Sequence, residues 1–238
     1  MWHENVYEDE YVEDVVEIID ECFSEGRKMT DDELLEYSNS DVLIADFYSL
    51  HRAIYNNDYI KFVTLISDPK VFEMFDEYET YCSSLIYGID LIFMKDRWEM
   101  LSVLLEKGYD INTPTEKINN MAIYNSLDCL VVSVPYINNF DVETRDGKTA
   151  LMVAIENLQI EFFEALLDYG ADVNNYTEYD PQTPLIFAVK EYEKYRDPET
   201  LEFIKILLER GANKNMPDYT GASARFYAKS SETKNLLR

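Results

Sequence analysis

The stretch from Thr144 to Asn174, TRDGKTALMVAIENLQIEFFEALLDYGADVN, constrains this chain more than any other. It begins with a turn signal, Asp146-Gly147, and runs into an apolar segment, Leu151 to Ile155. A second apolar set follows in Ile160, Phe162, Phe163, Leu166 and Leu167. It stops at Gly170, a residue suited to the left-handed C-cap of a helix. The spacing predicts two helices of about ten residues each, joined across 157–159, and each too short to be stable alone in water. The same ending recurs in Lys107-Gly108-Tyr109-Asp110-Ile111-Asn112 and in Leu207-Leu208-Glu209-Arg210-Gly211-Ala212-Asn213. A helix–turn–helix unit of roughly 33 residues is therefore repeated.

These residues resemble an ankyrin repeat, a D-G-x-T-P-L-H-x-A turn and first helix followed by V-x-x-L-L-x-x-G-A-D-V-N. Asp146-Gly147, Thr149, Leu151, Ala154, Leu166-Leu167 and Gly170-Ala171-Asp172-Val173-Asn174 carry the resemblance, while Ala150 and Met152 replace the usual Pro and His. It covers about residues 47–230 and implies an all-α ankyrin-repeat solenoid. Repeats are expected at 47–80, 81–112, 113–143, 144–176 and 177–216, with a C-cap at 217–238. Ser49-Leu50-His51-Arg52-Ala53-Ile54 opens the first, and Phe62, Val63, Leu65 and Ile66 form its second helix up to Asp68-Pro69. Ser83-Ser84-Leu85-Ile86 opens the second. In the degenerate third, Leu127, Leu130, Val131 and Val134 supply an apolar face that Pro135 breaks. The fifth opens at Asp180-Pro181-Gln182-Thr183-Pro184-Leu185, and its closing glycine lies 41 residues after Gly170. The extra residues fall at 192–199, read either as a tolerated surface loop or as a contact finger displaying Tyr192, Tyr195 and Arg196. Arg225 and Lys229 stand where apolar residues would go, which suits a C-cap.

Charge is distributed unevenly. The formal net charge is −26, from 47 acidic and 21 basic residues. Residues 1–46 hold 16 of the acids and two bases, Arg27 and Lys28. Val12, Val15, Val16, Ile19 and Phe23 share one helical face there, opposite Glu10, Glu13, Asp14, Glu17 and Glu21. Gly26 ends that helix, and Thr30-Asp31-Asp32-Glu33 reads as a capping box for another. Residues 1–46 are expected to form an acidic helical N-terminal cap, because a solenoid needs atypical end units. A charge this negative opposes direct binding to nucleic acid or an anionic membrane and favours a basic protein partner. Solubility alone would also account for it.

Catalytic material is sparse. His51 occupies the structural P-L-H position and His3 lies near the terminus, and no G-x-S-x-G, H-E-x-x-H, P-loop or G-x-G-x-x-G occurs. Cys22, Cys82 and Cys129 suggest neither a disulfide framework nor a zinc site, and no D-x-D-x-D-G order suggests calcium. No enzyme, metal or cofactor is expected. An acidic amino terminus and the lack of a long apolar run point to a reducing, cytoplasmic setting.

By the resemblance, variable partner-binding positions flank the turn and first helix of each repeat. They are Tyr55 and Asn56 in the first and Asp90 in the second. The fourth supplies Arg145, Asp146, Lys148, Glu156 and Asn157. The fifth supplies Tyr179, Asp180, Gln182, Lys190 and Glu191, with Tyr192 and Tyr195 in its insertion, and the last supplies Tyr219 and Thr220. Glu10, Asp14, Glu17 and Glu21 extend the set into the cap. The expected function is a monomeric, acidic inhibitor that neutralises a basic partner, in the manner of immunity proteins or of phage and viral counter-defence proteins. The alternative is a scaffold or adaptor bridging two proteins, like poxvirus ankyrin proteins. Against it stands the expectation that this chain carries no F-box-like C-terminal segment.

Overall fold

The computed structural model describes residues 42–73, 75, 88–113 and 117–238. Among them every regular element is helical, and an isolated antiparallel bridge joins Pro217 to Ser223. The all-α expectation therefore holds. Of the acidic cap expected over 1–46, residues 1–41, with Glu10, Asp14, Glu17 and Glu21, lie outside the described residues, as does the opening of the second repeat at 83–86. The chain divides into two compact units, 1–91 and 92–238.

In the first unit, α1 (Val42–Asn56) packs against α2 (Tyr59–Ile66), burying Leu50, Ala53 and Ile54 against Phe62 and Ile66. The expected boundary between cap and repeat, at 46/47, falls inside α1. Neither Gly nor Pro lies between Val42 and Asn56, so nothing local stops that helix. Asp58 caps α2, its carboxylate accepting the Lys61 N–H at 3.0 Å. The division between units falls within α3 (Gly88–Met94).

The second unit is a row of helical hairpins. α4 (Trp98–Glu106) is followed by α5 (Lys117–Tyr124), α6 (Leu127–Ser133) and a 3₁₀ turn, Val134–Tyr136. Then come α7 (Ala150–Glu156), α8 (Ile160–Tyr169), α9 (Pro184–Tyr195), α10 (Thr200–Glu209), α11 (Ala224–Tyr227) and α12 (Ser231–Leu236). First helices α5, α7, α9 and α11 pack on one another in sequence, and second helices α4, α6, α8, α10 and α12 do the same. Two layers result, with the core between them. Phe162, Phe163, Leu166, Phe203 and Leu207 are fully buried, each contributing about 1.5–3 kcal/mol over an exposed side chain.

One backbone device recurs at both ends of the hairpins. Between the paired helices stands a residue at positive φ, between 47° and 60°: Asn57, Asp96, Asn125, Leu158 and Arg196. At the first four the next N–H reaches back five residues, as in Asp58 to Ala53 at 2.8 Å and Gln159 to Ala154 at 2.9 Å. The second helices of three repeats end on glycine in the same manner. Gly170, at φ 110°, lets the Ala171 N–H reach Leu166 O at 2.9 Å. The third repeat lacks that glycine and closes through Pro135 and the 3₁₀ turn instead.

The asparagines ending the second and fourth repeats then join neighbours. Asn112 Nδ2 donates to Tyr136 O at 2.9 Å, and its Oδ1 accepts the Asn138 N–H at 2.9 Å. Asn174 does the same with Gly211 O at 3.3 Å and the Asn213 N–H at 2.6 Å. The terminal Asn is thus a stitch between repeats.

Candidate functional site

A turn precedes each of α7, α9 and α11, and these turns stack. Backbone bonds close three of them alike: Thr144 N–H to Lys148 O at 2.9 Å, Thr177 to Gln182 at 3.2 Å, and Asp218 to Ala222 at 2.9 Å. Gly147 has φ 76°, and a Cβ there would sit 2.9 Å from Tyr179 Cβ and 3.0 Å from Asp180 N. Glycine is required both for its backbone and for the close approach of the next turn. The Glu143 carboxylate fastens that approach, accepting the Glu178 N–H at 2.6 Å and the Tyr179 N–H at 3.2 Å. The Tyr219 N–H donates to Pro181 O at 3.1 Å, adding the last turn to the row.

This stacking leaves two aromatic rings in solvent on consecutive turns, Tyr179 at 75% exposure and Tyr219 at 68%. Beside Tyr179 lies an open cleft of about 530 Å³, lined by Asn139, Asp141, Val142, Glu143 and Glu178. Asp141 accepts the Asp172 N–H at 3.0 Å. Burial pushes its carboxyl up, and the Asp172 charge adds to that, more than the hydrogen bond lowers it.

Several expected contact residues are engaged within the molecule. Lys148 Nζ lies 2.7 Å from Glu156 and 3.1 Å from Asp146, and Thr144 Oγ1 donates to Asp146 at 2.5 Å. The Thr144 bond is the main cause that holds the Asp146 carboxyl below its ordinary value. Burial alone would lower the Lys148 ammonium, but Glu156 and Asp146 outweigh it and hold it up. Burial raises the half-buried Glu191, with Lys194 opposing and Glu156 reinforcing the shift. Gln182 Nε2 donates to Asp180, and Gln182 Oε1 accepts from Lys190 Nζ at 3.0 Å. That ammonium lies 3.6 Å from Asp218 and 4.5 Å above the Tyr227 ring. Asp218 is buried and also accepts from Tyr227 OH at 2.5 Å, Thr220 Oγ1 at 2.6 Å and the Ala222 N–H at 3.1 Å. Although burial opposes it, those donors hold this carboxyl well below the usual range. Lys190 and Asp180 thus belong to a polar chain tying the fifth turn to the C-cap.

The first half of the insertion at 192–199 is neither a loop nor a finger. It lengthens α9 to Tyr195, against an α7 that ends at Glu156. Tyr192 falls four residues after Ala188 and seven after Leu185, on the buried face, and is only 6% exposed. Its expected display to a partner is corrected accordingly. Tyr195 stays 63% exposed under the Lys194 ammonium, and Arg196 pairs with Glu193 at 2.5 Å. Sequence reasoning missed Glu193, whose carboxylate accepts the Lys229 N–H at 2.9 Å, the Ser230 N–H at 3.0 Å and Thr233 Oγ1 at 2.6 Å. Burial would raise its pKa, but those donors win and bring it down to about 2. The insertion therefore holds the start of α12. In the third repeat the apolar face also differs from expectation: Val131 is 45% exposed, while Cys129, Leu130 and Ser133 are buried.

Of the other expected positions, Arg145, Asp146, Glu156 and Asn157 are exposed in the second unit. Tyr55 and Asn56 are exposed at the end of α1, and Asp90 is half-buried in α3. One signal in the sequence would have located the acid-rich turns. Residues 141–180 hold ten acids and two bases, whereas residues 205–238 hold three acids and seven bases.

Among the described residues no cluster of His, Cys, Asp or Glu is arranged to hold a metal. Burial, then the nearby Asp96, raises the Cys129 thiol, which keeps it protonated and inert. No helix among the described residues is long and apolar enough to cross a membrane.

Comparison with known proteins agrees with this geometry. Residues 118–218 match the family model described as ankyrin repeats (3 copies). A putative ankyrin repeat protein of Acanthamoeba polyphaga mimivirus is 25% identical over 174 residues, which is 66% of this chain and 22% of that protein's length. The crystal structure of an ankyrin repeat domain from Acinetobacter baumannii aligns with a TM-score of 0.64. It covers 80% of this chain and 96% of that one at 21% identity, a likeness of fold.

Proposed function

Because this chain belongs to the ankyrin-repeat family, we propose that it is a non-enzymatic protein-binding module acting as an acidic inhibitor of a basic partner protein. Ankyrin repeats are protein-interaction scaffolds, and the fold is generally a binding rather than a catalytic one. The observation that carries the finer reading is the row of stacked turns. It presents Tyr179 and Tyr219 to solvent, Tyr179 beside the carboxylates of the cleft, on a chain of net charge −26. Rigid tyrosine rings supply contact area, and a negative field attracts a basic surface and speeds its encounter. Such a module would occupy a site that otherwise takes phosphates, as immunity-type or viral counter-defence inhibitors do, acting in the cytoplasm as a monomer.

The test is affinity capture with the full chain at low and at high salt, with bound proteins identified by mass spectrometry. One strongly basic protein, weakened at high salt, is expected. Several partners indifferent to salt would sink the inhibitor reading. They would favour an adaptor, for which the opposite charges of 141–180 and 205–238 already offer two unlike surfaces. In that case a ternary complex should appear in a sedimentation run.

A further inference from the structure

We propose that the exposed tyrosines of the stacked turns form an arginine-reading surface, in which a partner's guanidinium stacks on Tyr179 and meets the acids lining the cleft beside it. This rests on the basic-partner reading and deepens it by naming the side chain and the place.

Three features of this surface point the same way. Tyr179, at 75% exposure, borders the cleft and Tyr219, at 68%, stands on the next turn, so an extended chain could cross both rings. The charged residues lining the cleft, Asp141, Glu143 and Glu178, are all acidic. The stretch that builds the Tyr179 turn and its cleft, 141–180, is acid-rich, whereas the C-terminal end that carries the Tyr219 turn is base-rich, so charge complementarity directs a cationic group to the Tyr179 side of the row and away from α12.

The choice of arginine over lysine follows from chemistry. A guanidinium is planar, stacks on an aromatic face and offers paired donors to a carboxylate, while an ammonium is a compact, strongly hydrated charge. The carboxylates are also held in place. Glu143 is fixed by two backbone donors and Asp141 by the Asp172 N–H, so both keep lone pairs available without having to be ordered on binding.

The experiment titrates the full chain against fluorescein-labelled dodecapeptides of alternating arginine and serine, or of alternating lysine and serine, by anisotropy at low salt. The arginine peptide should bind about tenfold more tightly than the lysine peptide, the size expected of one desolvated stacking contact. Tyr179→Ala and Glu178→Lys should each abolish that preference. Tyr179→Phe keeps the ring and Lys234→Glu lies in α12, so both should leave it intact. Tyr179 and Glu178 are exposed, and unchanged melting of each variant would show that folding is not at issue. Equal binding of the two basic peptides, unmoved by either turn substitution, would overturn the arginine site while leaving a basic partner in place. No binding of either peptide by the unaltered chain would overturn both readings.

Discussion

The third and fourth repeats build the same hairpin from different chemistry. In the fourth, Phe162, Phe163 and Leu166 fill the second-helix core, and Phe163 meets Phe203 of the next repeat edge-to-face at 5.0 Å. In the third, the positions matching Phe162 and Leu166 are Cys129 and Ser133, which bring far less apolar area. Buried hydrogen bonds supply what packing does not. Ser126 Oγ donates to Phe93 O at 2.5 Å, Ser133 Oγ to Cys129 O at 2.8 Å, and Asn119 Nδ2 to Val142 O at 3.2 Å. Lys117 Nζ donates to Asp110 O at 2.9 Å while lying 4.1 Å from the Tyr109 ring centroid. The difference teaches that a repeat can trade area for specific polar contacts, since only shape and satisfied donors are demanded of it.

Substitutions can break or sharpen this contrast. The largest effect is expected in the apolar repeat: Phe163→Ala should cost about 3–5 kcal/mol, read as a shift in the urea midpoint. A loss no larger than that of Leu130→Ala would show that the two repeats do not differ in how they are held. Next comes the anchor of the C-cap. Glu193→Gln should cost about 2 kcal/mol at neutral pH, because it weakens a charged acceptor for three donors. Its pKa is depressed, so its stabilisation is present above the unfolded value and is lost as pH falls from about 4.5 toward 2. The wild-type protein should therefore lose stability through that window more steeply than the variant. Parallel pH curves would remove Glu193 from the account.

In the polar repeat, Ser126→Ala should cost about 0.5–1.5 kcal/mol, the net worth of one hydrogen bond, because the Phe93 carbonyl keeps the Asp96 N–H at 2.9 Å. Thermal melting would settle whether that single hydroxyl matters. The smallest expected effect has the opposite sign. Leu158 sits at φ 58°, where glycine is at ease, so Leu158→Gly should stabilise by up to about 1 kcal/mol despite the lost side chain. Destabilisation in calorimetry would mean that the leucine's contacts outweigh its backbone strain.

Much of the fold was legible because its signals are local. Gly170, Gly108 and Gly211 mark helix ends through their own φ, and the period of Leu151, Ile155, Phe162 and Leu166 depends on nothing outside the repeat. The exposed Tyr179 and Tyr219 were also reachable, since the resemblance fixes where turns fall. The cleft acids were not singled out, although the run of carboxylates from 141 to 180 announces them. Tyr192 and Glu193 were illegible for a different reason. Whether a tyrosine in an insertion faces solvent, or a carboxylate finds three donors, depends on residues some 36 to 40 positions away that meet it only after the repeats stack.

The sequence by itself thus determined the repeat, its helices and its turns, because glycine conformation and 3.6-residue periodicity act over a few neighbouring residues. Only the tertiary structure decided which polar groups serve the fold and which remain on the surface. For a group such as Glu193, hydrogen bonding is settled by the neighbour that stacking brings, and that neighbour comes from a different repeat.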